Sequence, residues 1–259
     1  MKKTLSFILL AASAILIIFW YRSTSDRRPL GDTLIVGTSA DFPPFSFRAS
    51  DDSITGFDID VIKEIARRLS MGIELQDKQF STLLPQLELG QIHAIAAGMT
   101  PTKERAERVT FTKPYLSGNP LLIVSRQSDP KITGLSDLKG KNVLVNTGYT
   151  ADLYMSSLQD SLLPDTTTLL RLPKVTDALT ALEQGKADAF VTASFTLMPY
   201  VKEGDTRFNY FPLTETDEQS AIAFSKELPA AFIERAQHAL DDMEADGSLD
   251  ALKKKWHVL

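Results

Sequence analysis

The chain has 259 residues, of which 43% are apolar and 24% charged, a composition typical of a globular protein with room for a large core or two lobes and not of a disordered or fibrous chain. Cysteine is absent, which excludes disulfides, thiolate metal sites, cysteine nucleophiles and the lipid-modified cysteine of bacterial lipoproteins. The formal net charge is −5, but the first 28 residues hold five basic residues and one acidic residue. Residues 29–259 therefore hold 23 basic and 32 acidic residues, a net charge of −9. Because so acidic a surface binds phosphates poorly, we predict no nucleic-acid partner.

The first 28 residues are predicted to be a signal peptide or a membrane anchor. Lys2 and Lys3 precede an apolar run over residues 5–21, which is the pattern of a secretory signal. That run is at the short edge of what spans a bilayer, and the small residues Ala11–Ala14 lie inside it and not after it. We therefore predict export across the inner membrane to the periplasm, and both cleavage of the leader and its retention as an anchor stay open.

The first half of the chain alternates short apolar runs with amphipathic stretches, which is typical of an α/β architecture. The predicted elements are a strand over 33–38, a helix over 56–70, a strand over 72–75, a helix over 81–89, a strand over 92–97, a helical stretch over 102–109 and a strand over 121–124. Asp58 and Asp60 open the first of these helices, which favours a capping role for both. Pro85 is placed near the first turn of the second helix, and Gly90 at its end.

A second α/β series begins after a polar stretch near residues 125–131. Its predicted elements are a strand over 142–145, a helix over 151–160, a strand over 169–172, a helix over 175–184, strands over 189–191 and 221–224, and helices over 230–244 and 248–256. The sequence therefore predicts two similar α/β halves. It contains no internal repeat, which excludes a solenoid.

Several short motifs carry the most specific signal in the chain. In order they are GTSADFPPFSF (37–47), GFDIDV (56–61), FSTLLPQL (80–87), GQIHAIAAGMT (90–100), PTKERAER (101–108), VTFTKPY (109–115), DLKGKNVLVN (137–146), GKADAF (185–190) and DGSLDALKKKW (246–256). Together and in this order they resemble the bacterial periplasmic solute-binding proteins for polar amino acids, the substrate-binding proteins of ABC transporters. Within that family the arginine-binding members are the most similar, and the resemblance covers about residues 32–259.

The resemblance implies a bilobed type II periplasmic binding protein fold, in which two α/β lobes joined by two hinge strands close over a ligand in the cleft. It assigns residues 32–119 plus 223–259 to the first lobe and 124–215 to the second. The hinge crossings fall near 119–124 and 216–222. A monomer that captures a free amino acid and delivers it to an inner-membrane ABC permease is the function that this family implies.

Arg105 matches the arginine that, in this family, binds the α-carboxylate of the ligand. A planar guanidinium suits a carboxylate because it donates two parallel hydrogen bonds and stays charged. Without the motif, the alternative would be a surface arginine paired with Glu104 or Glu107.

Two strand-to-helix turns are expected to supply backbone groups to the same ligand. Gly98, Met99 and Thr100 precede Arg105, where carbonyls, amides and a hydroxyl can meet an ammonium and a carboxylate. Thr147 and Thr150 belong to a matching turn in the second half, and Thr150 occupies the family position that donates to the carboxylate. Plain capping of the following helix by Thr150 is the alternative, and the two roles are compatible.

Aromatic residues are expected to enclose the ligand side chain. Phe42 and Phe80 match the family positions on either side of it, and two such faces suit a guanidinium through stacking and cation–π attraction. Ser39 and Asp41 lie in the same proline-stiffened loop; Asp41 is a candidate counter-ion for a cationic ligand, although the family contact lies nearer Ser39. Phe45 is expected in the core.

The sequence departs from the family at one position. Where the family commonly has an aspartate for the α-ammonium, this chain has Ala193. Candidate replacements are Ser194, or Glu218 and Gln219 at the return crossing.

Three classes of function remain in competition at this stage. The first is the transport receptor, with L-arginine as the leading ligand and lysine or ornithine, histidine and glutamine as alternatives. The second is an enzyme on the same fold, such as a cyclohexadienyl dehydratase, and the third is a membrane-tethered sensor or surface protein. The three histidines of the chain are widely scattered, so we predict no catalytic residue, no metal and no cofactor.

Overall fold

Two mixed five-stranded sheets organise the residues that the computed structural model describes, which are 30–159, 167–201 and 205–258. The strands are β1 (Thr33–Thr38), β2 (Asp41–Phe42), β3 (Ser46–Arg48), β4 (Ile54–Thr55), β5 (Gly72–Asp77), β6 (Ala94–Ile95), β7 (Thr110–Phe111), β8 (Leu116–Arg126), β9 (Asn142–Asn146), β10 (Thr168–Leu172), β11 (Ala189–Ala193), β12 (Phe208–Ser220) and β13 (Ala223–Phe224). The α-helices are α1 (Phe57–Arg68), α2 (Phe80–Glu88), α3 (Lys103–Arg108), α4 (Thr150–Gln159), α5 (Val175–Glu183), α6 (Ser194–Leu197), α7 (Ala230–Ala245) and α8 (Ser248–Trp256), and a 3-10 turn covers Leu135–Leu138.

The first sheet has the order β5-β1-β6-β13-β7 and is covered by helices on both faces. β1 pairs in parallel with β5 and β6, while β13 is antiparallel to both of its neighbours. Leu34 and Val36 pack with α1 and α7 on one face, and Ile35 packs with α2 on the other. This burial on both faces explains the continuous apolar run of β1.

The second sheet has the order β10-β9-β11-β8-β12 and repeats this arrangement. β9 is parallel to β10 and β11, and its residues alternate between two cores. Val143 and Val145 pack with Met155 of α4, whereas Leu144 packs with Leu182 of α5. The prediction of an α/β protein with two similar halves is confirmed.

Two long antiparallel strands connect the sheets. The chain leaves the first sheet along β8 and returns to it along β12, and Leu116 pairs with Ser220 at the end of the ribbon nearest the first sheet. β12 has 13 residues, and residue spacing predicted no strand there, because its polar residues and Pro212 obscure the alternation of a strand. The family resemblance implied only the hinge crossing near 216–222.

Three local expectations are corrected by the structure. Pro85 lies inside α2 and not near its first turn, at the cost of one backbone hydrogen bond. The strand expected over 92–97 covers only Ala94–Ile95, where β6 pairs with β1. The loop after β1 forms a small sheet of order β2-β3-β4, which positions Phe42.

The predicted capping role of the two aspartates in α1 is wrong. Gly56 occupies the N-cap position, and no side chain caps the helix. Asp58 accepts a hydrogen bond from the Gly98 amide, and Asp60 accepts one of 2.8 Å from Trp256 Nε1. Both carboxylates therefore connect α1 to other parts of the first lobe.

The predicted leader, residues 1–28, lies outside the described residues, as does residue 160 at the end of the predicted helix 151–160. Within the three described segments, every helix is too short or too polar to cross a membrane. Export and anchoring therefore remain predictions from sequence.

Candidate functional site

A cavity lies between the two sheets, at the carboxyl ends of β6, β9 and β11, which is where α/β sheets commonly bind ligands. The first sheet and its loops contribute Phe42, Phe45, Phe80, Ala97, Gly98 and Thr100. The second contributes Tyr149, Thr150, Ala151, Thr192, Ala193 and Thr196. The connecting strands β8 and β12 add Asn119, Leu121, Glu218 and Ser220.

The structure brings half of the predicted binding residues together in this wall: Phe42, Phe80, Gly98, Thr100, Thr150 and Glu218. The others lie beside or behind the wall: Ser39, Asp41, Met99, Arg105, Thr147 and Gln219. Sequence reasoning missed Tyr149 and Asn119, which both line the cavity. Phe45 is in the core of the first lobe, as expected, and also borders the cavity.

Arg105 does not line this cavity; it is buried next to it, with 4% of its surface exposed, and borders a neighbouring opening with Phe80 and Gly148. Nη1 donates to the Thr100 carbonyl at 2.8 Å, and Nη2 donates across the cleft to the Gly148 carbonyl at 2.9 Å. Burial lowers the pKa of Arg105 to about 10, so the group remains cationic at neutral pH. The alternative of a surface arginine paired with a neighbouring glutamate is therefore wrong.

Glu218 places a carboxylate in the same wall, with 9% of the residue exposed. Thr100 Oγ1 donates to Glu218 Oε2 at 3.0 Å. Burial raises the pKa of Glu218, while hydrogen bonds with Thr150 and Thr100 and the charge of Arg105 oppose that rise. The cavity thus has a buried carboxyl group in its wall and a buried guanidinium next to it.

Aromatic rings from both lobes form one side of the cavity. Phe42 stacks on Phe45 with centroids 4.8 Å apart, and Tyr149 lies 4.5 Å from Phe80 and 6.4 Å from Phe42. Burial raises the pKa of the Tyr149 hydroxyl, which keeps it neutral. Tyr149 therefore covers a Phe80 face that the sequence assigned to the ligand.

Gly98 lets Phe42 approach the backbone of this wall. Its φ is +62°, and a Cβ atom there would lie 2.5 Å from the Phe42 ring. Any larger residue would displace the ring and strain the backbone. The glycine of the GMT turn is therefore required by packing as well as by conformation.

Ser39 and Asp41 lie at an adjoining opening that Lys174 of the second lobe also borders. Ser39 Oγ donates to Asp41 Oδ1 at 2.7 Å, and the Tyr200 hydroxyl donates to the Asp41 carbonyl at 3.2 Å. The two side chains thus interact with each other next to the cavity and do not line it.

The three acceptors proposed to replace the family aspartate have different positions. Ala193 lines the cavity, but the neighbouring Ser194 donates its hydroxyl to Asn119 Oδ1 at 2.8 Å. The Gln219 backbone carbonyl accepts from Thr100 Oγ1 at 2.8 Å, and its side chain lies outside the wall. Glu218 is the candidate whose carboxylate the cavity contains.

Met99 and Thr147 contribute through the backbone. The Met99 side chain is in the core of the first lobe, and its carbonyl accepts from the Ala221 amide at 3.2 Å. The Thr147 amide donates to the Leu172 carbonyl at 3.0 Å. Both residues hold their turns in place next to the cavity.

Comparison with known proteins agrees with this architecture. A family model for bacterial extracellular solute-binding proteins, family 3, matches residues 34–258. The arginine-binding extracellular protein ArtP of Bacillus subtilis (strain 168) is 31% identical, over 99% of this chain and 98% of that protein. A probable histidine-binding protein of Campylobacter jejuni is 29% identical over 100% of both chains.

Among solved structures, an ancestral arginine-binding protein bound to arginine aligns with a TM-score of 0.78 and 31% identity. The alignment covers 88% of this chain and 99% of the ancestral protein. The resemblance drawn from the motifs and the type II fold are thereby confirmed. With its two-sheet architecture and this match along nearly all described residues, the chain belongs to the bacterial extracellular solute-binding proteins, family 3.

Proposed function

We propose that the protein is a non-catalytic, extracytoplasmic receptor of an ABC importer and that its preferred ligand is L-arginine. The observation that carries this proposal is the cavity between the sheets, which combines Glu218, an aromatic wall and, next to it, Arg105. A free amino acid has a carboxylate, an ammonium group and a side chain, and the cavity offers a partner for each. The named functions of the relatives support the same ligand class.

Arg105 is assigned to the α-carboxylate. Each of its two terminal nitrogens donates one hydrogen bond, Nη1 to the Thr100 carbonyl and Nη2 to the Gly148 carbonyl. Because a guanidinium carries five N–H groups, donors remain for a ligand. The turn that begins α4, including Thr150, adds backbone donors from the other lobe.

Glu218 is assigned to the α-ammonium. Its carboxylate comes from β12, whereas the family aspartate comes from the position of Ala193 at the end of β11. The side chain is mostly buried and is held by Thr100. An ionised Glu218 on β12 would thus supply the negative charge that the family aspartate supplies from the end of β11.

The aromatic wall is assigned to the ligand side chain. Since Tyr149 and Arg105 already contact Phe80, at 4.5 Å and 5.7 Å from its ring centroid, Phe42 and Tyr149 are the rings we assign to the guanidinium. Planar cations gain about 0.5–2 kcal/mol from such faces, depending on desolvation. This preference favours arginine over lysine, histidine and glutamine.

Hinge motion is assigned to β8 and β12. The Asp217 carboxylate accepts from the amides of Gly118 and Asn119, at 2.7 Å and 3.1 Å, which joins the two strands where they leave the first sheet. This ribbon is consistent with hinge crossings near 119–124 and 216–222. Those crossings would connect a first lobe of residues 32–119 plus 223–259 with a second lobe of residues 124–215. A ligand that contacts both lobes would favour the closed form.

The enzyme alternative has less support. Among the described residues that line the cavity, Glu218 is the carboxylate and none is a histidine, so a pair of groups for proton transfer is not apparent there. The sensor alternative depends on the N-terminal 28 residues, which lie outside the described part. Monomeric state and the partner permease are taken from the family resemblance.

A thermal-shift panel of the twenty amino acids plus ornithine tests the proposal. A ligand at a hundred times its dissociation constant stabilises a protein by about 2.7 kcal/mol. Arginine should give the largest increase in the unfolding midpoint, and Arg105→Met should lose it while Arg108→Met keeps it. A shift with glutamine, glutamate or histidine and none with arginine would contradict the arginine assignment.

A further inference from the structure

Asp58 is a fully buried carboxylate in the first turn of α1, with an exposed fraction of 0%. Its side chain does not cap the helix; Oδ2 accepts a hydrogen bond from the Gly98 amide. Gly98 lines the cavity. Asp58 thus connects the start of α1 to the wall of the candidate binding site from behind.

Burial of a carboxyl group at this position is energetically unfavourable. The Asp58 carboxyl interacts with the hydroxyl of Tyr115, which is also buried, although the pair falls outside ordinary hydrogen-bond geometry. Burial raises the pKa of Asp58 to about 7, against the hydrogen bond from Gly98 and the interaction with the Tyr115 hydroxyl. Burial, and then the nearby Asp58 carboxylate, raise the pKa of Tyr115 well above its usual value. Burying a carboxyl group costs free energy unless hydrogen bonds compensate it, and here the Gly98 amide and the Tyr115 hydroxyl are the compensating groups.

The structure shows what the carboxylate holds. Gly98 has a φ of +62° and lies against the Phe42 ring. Two residues later, the hydroxyl of Thr100 shares its hydrogen between the Gln219 carbonyl at 2.8 Å and Glu218 Oε2 at 3.0 Å, both on β12. The turn between β6 and α3 is therefore fixed by Asp58 at its start and by β12 at its end.

We propose that Asp58 is a positioning residue for amino-acid binding, whose carboxylate orients the Gly98 peptide and thereby the Phe42 ring and the Thr100 hydroxyl that face the ligand. The proposal rests on the proposed function. It assigns no direct ligand contact to Asp58, which lies behind the wall. A hydrogen bond from a backbone amide to a carboxylate is stronger than one to a neutral amide, so removal of the charge should loosen the turn.

Asp58→Asn tests the role, because it keeps the shape and an acceptor oxygen and removes the charge. We expect arginine affinity, measured by isothermal titration calorimetry above the pKa of Asp58, to fall at least about tenfold, since turn and ring geometry are both affected. The unfolding midpoint of the ligand-free variant should be unchanged or higher, because the cost of a buried charge is removed. Asp60→Asn, two residues along α1, is the matched control and should bind arginine like the wild type.

The Gly98 amide resonance in proton–nitrogen NMR spectra gives a second readout. In the wild type it should lie well downfield, as a carboxylate-bonded amide does, and in Asp58→Asn it should move upfield. If the variant does not fold, the wild-type resonance still decides, and a Gly98 amide near its random-coil position would overturn the proposal. If the wild type binds arginine and Asp58→Asn binds it equally tightly, this proposal fails and the proposed function stands. If the wild type binds no amino acid, both fail.

Discussion

Tyr149 of the second lobe packs on Phe80 of the first, with ring centroids 4.5 Å apart and planes inclined at 51°. The contact is part of a close approach of the β9–α4 turn to α2, since a Cβ atom on Gly148 would lie 3.5 Å from Ser81 Cβ. Arg105 reaches the same turn through the Gly148 carbonyl. The two lobes therefore meet at the residues we assign to ligand recognition.

Tyr149→Ala should weaken arginine binding about 2- to 10-fold, since aromatic pairs are worth about 0.5–1.5 kcal/mol. Tyr149→Phe should bind like the wild type, because the ring and not the hydroxyl forms the wall. Calorimetry measures both. Tyr210→Ala removes a more exposed ring of the second lobe and serves as the control; equal losses in Tyr149→Ala and Tyr210→Ala would refute the assigned role.

Arg105→Lys should lose most of the affinity for every amino acid. A lysine keeps the charge but cannot bridge two carbonyls and a carboxylate with a planar fork. Arg108→Lys, on the same helix and paired with Glu88 at the surface, is the control. Retained affinity in Arg105→Lys would show that the fork geometry is not required.

Glu218→Gln should reduce affinity at least about tenfold if the carboxylate pairs with the ammonium, since such charged contacts are worth about 1.5–3 kcal/mol. Because burial raises the pKa of Glu218, wild-type affinity should decline on acidification at a higher pH than an ordinary glutamate would give. Glu215→Gln changes an exposed carboxylate of the same strand and is the control. Unchanged affinity in Glu218→Gln would exclude this ammonium contact.

Stability should depend on pH through Asp58. Its pKa is raised from 3.8 to about 7 in the folded protein, so the folded state binds a proton more tightly than the unfolded state does. The free energy of unfolding should therefore fall, relative to Asp58→Asn, as pH rises from about 4 to 7, and the difference should level off above that range. Each pKa unit corresponds to about 1.4 kcal/mol, so a loss of a few kcal/mol is expected. Urea unfolding at several pH values measures it, and a constant difference between the two proteins would contradict the raised pKa.

The fold was largely predictable because its signals are local. The buried run of β1 and the amphipathic pattern of α1 follow directly from residue spacing. β12 was missed because its pairing with β8 is a long-range relationship and its own sequence is polar. β2 and β3 were missed for a different reason: they have two and three residues and pair only with near neighbours in the chain, so neither shows an alternation long enough to indicate a strand.

The site was predictable only where motifs specify it. Arg105 and Thr150 came from the family pattern, but Asn119, on the hinge ribbon, has no local signal. Tyr149 lies inside the predicted turn over residues 146–150. A large aromatic residue directly after Gly148 was the available sequence signal for a ring in the cavity wall. The role of Asp58 was misread because its partner, Gly98, is 40 residues away in the chain.

The central claim is that this cavity binds a free amino acid and prefers arginine. Isothermal titration of the purified protein, freed of bound ligand by unfolding and refolding, with L-arginine and then with L-glutamine and L-histidine tests it most directly. We predict one arginine bound per chain, with an affinity at least about tenfold above that of the other two amino acids, a margin of about 1.4 kcal/mol. Saturable binding of glutamine or histidine with no heat from arginine would contradict it.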